Sequence, residues 1–221
     1  NPAMTETPAS ALSRIGWRGE LPASDSGTDH RRIARVVAQH RAGYELHDGE
    51  HAFTAQPAPR FLKPGIDPGD RPAVGDFVWI SNAVPPTIEQ VLPRRSTLSR
   101  SAAGERHLRQ VIATNIDTVM VVCGRDGDFN PARIERYFVL IEGSGAKAVV
   151  VLTKADLAAD AQAMTEQLKA RMPAGTEIHA INAKTGFGVD ALLAHLGPGS
   201  STVLVGSSGA GKSTLTNTLL G

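Results

Sequence analysis

Gly206-Ser207-Ser208-Gly209-Ala210-Gly211-Lys212-Ser213 lies between an apolar run, Thr202-Val203-Leu204-Val205, and a helix-compatible run over residues 213–220. The stretch fits the spacing GxxxxGK[ST], and its flanks make it a strand–loop–helix unit. Each residue type has a physical reason to be there. Glycines permit backbone angles that turn successive N–H groups inward as a nest for phosphate oxygens. The N-terminus of the following helix adds the positive end of its dipole. Lys212 supplies a point charge to the transferred phosphate and is the candidate catalytic residue, while the Ser213 hydroxyl is a candidate Mg²⁺ ligand. The expected nucleotide-binding residues here are Gly206, Ser207, Ser208, Gly209, Ala210, Gly211, Lys212, Ser213 and Thr214.

The rhythm upstream agrees with this reading. Apolar strands are expected at 118–123, 146–152, 177–181 and 202–205, and helices after Asn130-Pro131, at 160–172 and at 189–196. Asn130 is a suitable N-cap and Pro131 a suitable first helical residue. Continuous apolar strands alternating with helices predict a mostly parallel sheet covered on both faces. Thr153-Lys154-Ala155-Asp156 follows one strand directly. In open α/β sheets ligands bind at the carboxyl ends of strands. A carboxylate at Asp156 can accept from both N–H groups of a guanine edge, which adenine does not offer, and the Lys154 stem can lie along a base. Asn182-Ala183-Lys184 follows the next strand and is similar to the Ser-Ala-Lys loop of GTPases; taken alone it is equally well a turn capping the next helix. In an ordinary GTPase the phosphate loop precedes the base-reading loops. Here it follows them, the order produced by circular permutation.

The first half of the chain has another period. Residues 1–30 are polar and aperiodic and are expected as a flexible arm, with Trp17 docked on the chain's own core. Short alternating strands are expected from Ile33 to about Pro93. Gly43 reads as a bulge, and Asp48-Gly49 as a hairpin turn. Five strands in this span fit a small barrel of the OB type, with an SH3-like barrel as the alternative. The expected organisation is an arm (1–30), an OB-fold-like barrel (31–95), a basic linker (96–112) and a permuted GTPase domain (113–221).

The chain has 221 residues and a net charge of +1, yet residues 94–110 hold five arginines against one acid, a local +4. Arg31, Arg32, Arg35, Arg94, Arg95, Arg100, Arg106 and Arg109 are the candidate RNA contacts, weighed against an ordinary solvated surface. The single cysteine, Cys123, excludes an intrachain disulfide and ends an apolar strand as a core thiol would. The seven histidines show no metal-ligand spacing and are assigned to no ligand set. No apolar run is long enough for a bilayer and no secretory leader is visible, so membrane attachment is not expected.

Taken together, the barrel, Val74-Gly75-Asp76, Leu92-Pro93-Arg94-Arg95, Asn115-Ile116-Asp117, Arg133-Ile134-Glu135-Arg136-Tyr137, residues 152–157 and residues 206–215 resemble the RsgA/YjeQ family of circularly permuted GTPases of small-ribosomal-subunit biogenesis. The resemblance implies an α/β P-loop GTPase domain with a mostly parallel sheet, preceded by an OB-type barrel. It implies GTP and GDP as ligands, Mg²⁺ as cofactor, the small (30S) subunit and its rRNA as partners, and release on hydrolysis late in maturation. A monomeric, cytoplasmic protein is expected. Two positions depart from the family: Thr153 stands where most GTPases have Asn, and Asn182 where they have Ser. The family's Asp-x-x-Gly loop, switch region and zinc ligands fall beyond Gly221, so Zn²⁺ is expected only in that C-terminal domain and the native product is expected to be longer. Two alternatives stay open: an RNA- or ribosome-binding module with an incomplete or vestigial nucleotide site, and a P-loop ATPase or kinase.

Overall fold

The computed structural model describes residues 8–19, 32–101, 109–127, 129–154 and 161–221. The chain divides into two compact units. One runs to Asn115 and includes Pro198–Ser200; the other comprises Ile116–Gly197 and Ser201–Gly221.

In the first unit, β1 (Arg32–His40), β2 (Gly43–His47), β3 (Ala52–Pro57), β4 (Phe77–Ser81) and β5 (Thr87–Val91) close a barrel in the order β1-β2-β3-β5-β4. The β3–β5 pairing is parallel and the others are antiparallel, with β4 returning to β1. Alternation fills the barrel: Ala34, Val36, Leu46, Val78, Ile80 and Ile88 are buried together. Asp48 makes the β2–β3 turn, its Oδ1 accepting from the Glu50 and His51 N–H groups at 3.0 and 2.8 Å. Gly43 does not form the expected bulge. It opens β2 after a turn, and the register shift falls between Val36 and Ala38 on β1.

Two further expectations change. The supposed arm contains α1 (Pro8–Arg14), and Leu12, Ile15 and Trp17 pack with Ile33, Phe77, Trp79 and Leu92. Trp17 meets Phe77 edge-on at 5.0 Å, so it docks on its own unit as expected. Burial of these few apolar side chains holds a helix too short to persist alone. The supposed linker carries β6 (Thr97–Ser101) paired antiparallel with β7 (Arg109–Thr114). Its arginines obscured the alternation Gln110-Val111-Ile112-Ala113.

The second unit holds a four-stranded sheet ordered β10-β9-β8-β11 and parallel at every pairing, built from β8 (Thr118–Gly124), β9 (Lys147–Thr153), β10 (Glu177–Ala180) and β11 (Thr202–Val205). All seven residues of β8 are buried, as a two-sided strand requires. The helices are α2 (Pro131–Glu142), α3 (Ala161–Lys169) and α4 (Lys212–Leu220). Asn130 caps α2 as expected, its Oδ1 accepting from the Arg133 N–H at 3.0 Å, and Ile134 and Ile141 face inward. The helix expected at 189–196 is a 3-10 segment, Val189–His195. Gly186 and Gly188, both at positive φ, precede it, and the short segment takes the tighter 3-10 geometry. Cys123 is buried. No helix among the described residues is long and apolar enough to cross a membrane.

Candidate functional site

The three motif loops leave the carboxyl ends of strands in the one parallel sheet: Thr153-Lys154 at the end of β9, Asn182-Ala183-Lys184 after the adjacent β10, and residues 206–211 after β11, which β8 separates from β9. Gly206 has φ +153°, and a Cβ there would meet the Val122 carbonyl oxygen at 2.2 Å, so the loop can turn off β11 only with glycine. Gly211, at φ +95°, leads into α4, whose first backbone bond runs from the Leu215 N–H to the Gly211 oxygen at 2.9 Å. The N–H groups of Lys212, Ser213 and Thr214 therefore point out of the helix N-terminus. The Lys212 ammonium lies on the loop's own carbonyls, donating to Gly206 at 2.9 Å and to Ser207 at 2.6 Å. The Ser213 side chain is on the exposed rim of the same turn.

Side-chain bonds tie the loops together. The buried Thr153 hydroxyl donates to the Ala210 carbonyl at 2.6 Å, joining the β9 loop to the phosphate-type loop. A threonine in place of the usual asparagine thus keeps a bridge between these loops. Thr218 of α4 donates to the Ala183 carbonyl at 2.7 Å, which fixes the β10 loop to the same helix. Asn182 folds that loop internally, its Oδ1 accepting from the Lys184 and Thr185 N–H groups at 3.0 and 3.3 Å. Lys154 sits at φ +56°, a conformation uncommon for lysine, and its ammonium pairs with Asp126 beyond β8. Ala155 and Asp156 lie outside the described residues.

The sequence profile described as RsgA GTPase matches residues 91–221. The chain belongs to the RsgA GTPase family. Two relatives named small ribosomal subunit biogenesis GTPase RsgA illustrate the likeness. The one from Xanthomonas campestris pv. campestris strain B100 is 49% identical over 95% of this chain and 59% of its own length. The one from Xanthomonas oryzae pv. oryzae strain PXO99A is 52% identical over the same shares. This chain thus spans about three fifths of the curated relatives it matches. Among solved structures, YjeQ from Thermotoga maritima superposes with a TM-score of 0.66 at 24% identity, covering 86% of this chain and 65% of that one. YloQ, a circularly permuted GTPase, superposes with a TM-score of 0.60 at 21% identity, covering 88% and 66%. These likenesses show a shared fold, which in this chain comprises a closed five-stranded barrel and a four-stranded parallel sheet.

Several family markers turn out to be structural. Asp76 is fully buried and accepts from Ala73 N–H at 2.8 Å, Thr114 Oγ1 at 2.6 Å, and Arg94 Nε and Nη2 at 2.8 and 2.7 Å. Gly75 permits that turn, since a Cβ would meet the Thr114 oxygen at 2.1 Å. Arg94 is therefore corrected from RNA contact to internal ion pair. Arg35 is corrected likewise: it lies over the Phe77 ring at 5.2 Å and donates to the Gly75 and Asn115 carbonyls. Both guanidinium groups are drawn inward because carbonyl and carboxylate oxygens await them there. Arg32, Arg95 and Arg100 stay exposed, with Arg32 paired to Asp48 at 2.8 Å and Arg100 bonded to Gln110 at 3.0 Å. Arg31 and Arg106, and the side chain of Arg109, lie outside the described residues.

Sequence reasoning missed Asp126 and Arg125. Their signal was position, directly past a buried parallel strand. Arg125 is almost wholly buried; it donates through its N–H to the Thr153 carbonyl at 3.0 Å and through Nη2 to Thr165 Oγ1 at 3.3 Å. Burial lowers its pKa from the ordinary guanidinium value.

Proposed function

We propose that this chain carries the nucleotide-binding core of a ribosome-dependent GTPase that binds guanine nucleotide, acts on the small ribosomal subunit late in its maturation, and leaves on hydrolysis. The family and the names of the relatives support this reading. The single observation that carries it is the Thr153–Ala210 hydrogen bond, because it couples a base-reading loop to a phosphate loop despite their inverted order in the chain.

Residues 206–211 and the first turn of α4 offer backbone N–H groups to phosphate oxygens. Lys212 uses two of its three ammonium hydrogens on loop carbonyls, leaving one to stabilise charge on the transferred phosphate. Thr153, Lys154, Ala155 and Asp156, with Asn182, Ala183 and Lys184, form the guanine-reading side. Asp156 accepts from the guanine N1–H and N2–H₂ groups, and Asp126 holds Lys154 in place. The Ser213 hydroxyl fits one position of a bound Mg²⁺, which neutralises phosphate charge. The P-loop reading of the parallel sheet, the domain boundaries, rRNA binding through exposed barrel arginines, and a monomeric cytoplasmic state belong to the same proposal.

Titrating GDP against ADP is the direct test. A clear GDP preference is expected, and an ADP preference overturns the guanine assignment in favour of an ATPase or kinase. Asp156→Asn exchanges an acceptor for a donor and should shift preference from guanine to xanthine nucleotide. Turnover should rise when small subunits are added; subunit binding without nucleotide-dependent release would instead make the chain a binding module.

A further inference from the structure

The histidines that offered no ligand spacing along the sequence are brought together by the fold. Glu177 and His179 stand on β10, the edge strand of the parallel sheet, two residues apart and therefore on one face. His195 ends the 3-10 segment that follows. Both imidazole Nε2 atoms converge on one carboxylate oxygen, Glu177 Oε2, at 3.4 Å from His179 and 3.0 Å from His195. The three ligand atoms all lie within 4.8 Å of one another. The rings stand 6.4 Å apart, inclined at 63°. The other carboxylate oxygen, Oε1, is held by the Lys147 ammonium. The cluster belongs to the amino-terminal edge of the sheet, where Glu177 pairs with Val149, and not to the carboxyl ends that carry the motif loops.

We propose that Glu177, His179 and His195 form a divalent transition-metal site of the Zn²⁺ class. Three arguments carry it. The donor set is right: two neutral imidazoles and a carboxylate suit Zn²⁺ and its neighbours and are poor ligands for Mg²⁺. The spacing is right as well. Ligands at about 2.0–2.1 Å from a tetrahedral ion stand about 3.3–3.4 Å apart, and the carboxylate-to-imidazole separations bracket that value. The surroundings also agree. Lys147 on Oε1 orients the carboxylate from outside and leaves Oε2 toward the rings, as an outer-shell hydrogen bond does. With side-chain exposures of 37%, 24% and 11%, the site is open on one side, leaving the fourth position to water. Bound metal would clamp the end of the 189–195 segment to the edge strand, closing a loop of sequence that begins at Glu177. This site is separate from the family's C-terminal zinc ligands and does not depend on the nucleotide reading.

Cobalt titration of the 221-residue chain tests the site, because four-coordinate Co²⁺ gives intense visible bands and competition with Zn²⁺ then gives its affinity. The chain's one cysteine is buried, so thiolate does not confuse the spectrum. One equivalent of saturable absorbance is expected, displaced by Zn²⁺, with a rise in thermal midpoint on Zn²⁺ addition. Glu177→Gln, His179→Gln and His195→Gln should each abolish the band, while His40→Gln, on a strand of the barrel, should leave it intact. Circular dichroism checks that the variants fold, and His179, the more exposed imidazole, is the variant least disturbing to packing. Absence of a saturable band overturns the proposal. So does a band that survives both histidine substitutions in folded protein, or one lost equally in His40→Gln.

Discussion

The two units use their motif residues in opposite directions. In the barrel unit, Gly75, Asp76 and Arg94 are turned inward, and a fully buried carboxylate meets a guanidinium whose side chain is only 17% exposed. In the sheet unit, Lys154, Lys212 and Ser213 stand at the open carboxyl ends of strands, half-buried or exposed. Both sets belong to the markers by which the sequence resembles its family, but the first is spent inside a buried network, whereas the second stays on a half-buried or exposed rim, its two lysines held by Asp126 and by loop carbonyls. A recognisable residue is thus not by itself a functional one; burial and place in the fold separate the two cases.

The sharpest way to break this comparison is to cut the buried pair. Asp76→Ala should destabilise the barrel unit by about 3–5 kcal/mol, because it strands the Arg94 guanidinium and the Thr114 hydroxyl without their acceptor. Urea unfolding measures it. The double variant Asp76→Leu/Arg94→Met should recover part of the loss, since removing both charges removes the stranded one. If Asp76→Ala unfolds with the wild-type midpoint, the pair is not structural. Lys212→Ala is the opposite case. It should weaken nucleotide binding about 100-fold, equivalent to about 2.7 kcal/mol, while moving the unfolding free energy by no more than about 1 kcal/mol. Nucleotide affinity by calorimetry beside a urea curve separates the two effects.

Much of this was legible in the sequence, for identifiable reasons. The parallel sheet followed from uninterrupted apolar runs such as 118–123, and the barrel from alternation around turns. Asn130-Pro131 announced α2 because a cap and a fixed φ are local chemistry. What was not legible depended on contacts between distant segments. α1 lacks its own periodicity and is held by Phe77, Ile33 and Leu92. β6 and β7 hid behind their charges. The destinations of Arg35 and Arg94 depended on oxygens up to 80 residues away. The meeting of Glu177 with His195 needed the whole β10-to-β11 excursion, which no spacing rule covers.

Thr153 sits between the two extremes, buried like Asp76 yet placed at the nucleotide loops. Thr153→Val keeps its shape and removes the hydroxyl, leaving the Ala210 carbonyl without that donor. The expected stability loss is about 1–3 kcal/mol, with a parallel loss of nucleotide affinity because residues 206–211 lose their tie to β9. Thr153→Ser should restore most of both. A Val variant that loses stability but binds nucleotide normally would make the bond a packing feature and remove the observation on which the coupled-loop reading rests.

The smallest effect is expected at the exposed arginines, and it tests the same distinction from outside. Arg32 pairs with Asp48 at the surface and covers the Phe53 ring at 4.2 Å, so Arg32→Gln should change stability by less than about 1 kcal/mol. Arg100→Gln should do no more, since its bond is to the neutral Gln110. If these side chains contact rRNA phosphates, each substitution lowers affinity for an rRNA fragment at every salt concentration and reduces the salt slope by about 0.7 for a single-stranded contact. Arg94→Gln should behave otherwise, lowering stability with no specific change in the slope, because its guanidinium already faces Asp76. Should Arg94→Gln alter the salt slope while Arg32→Gln does not, the inward and outward assignments of the barrel's arginines would have to be exchanged.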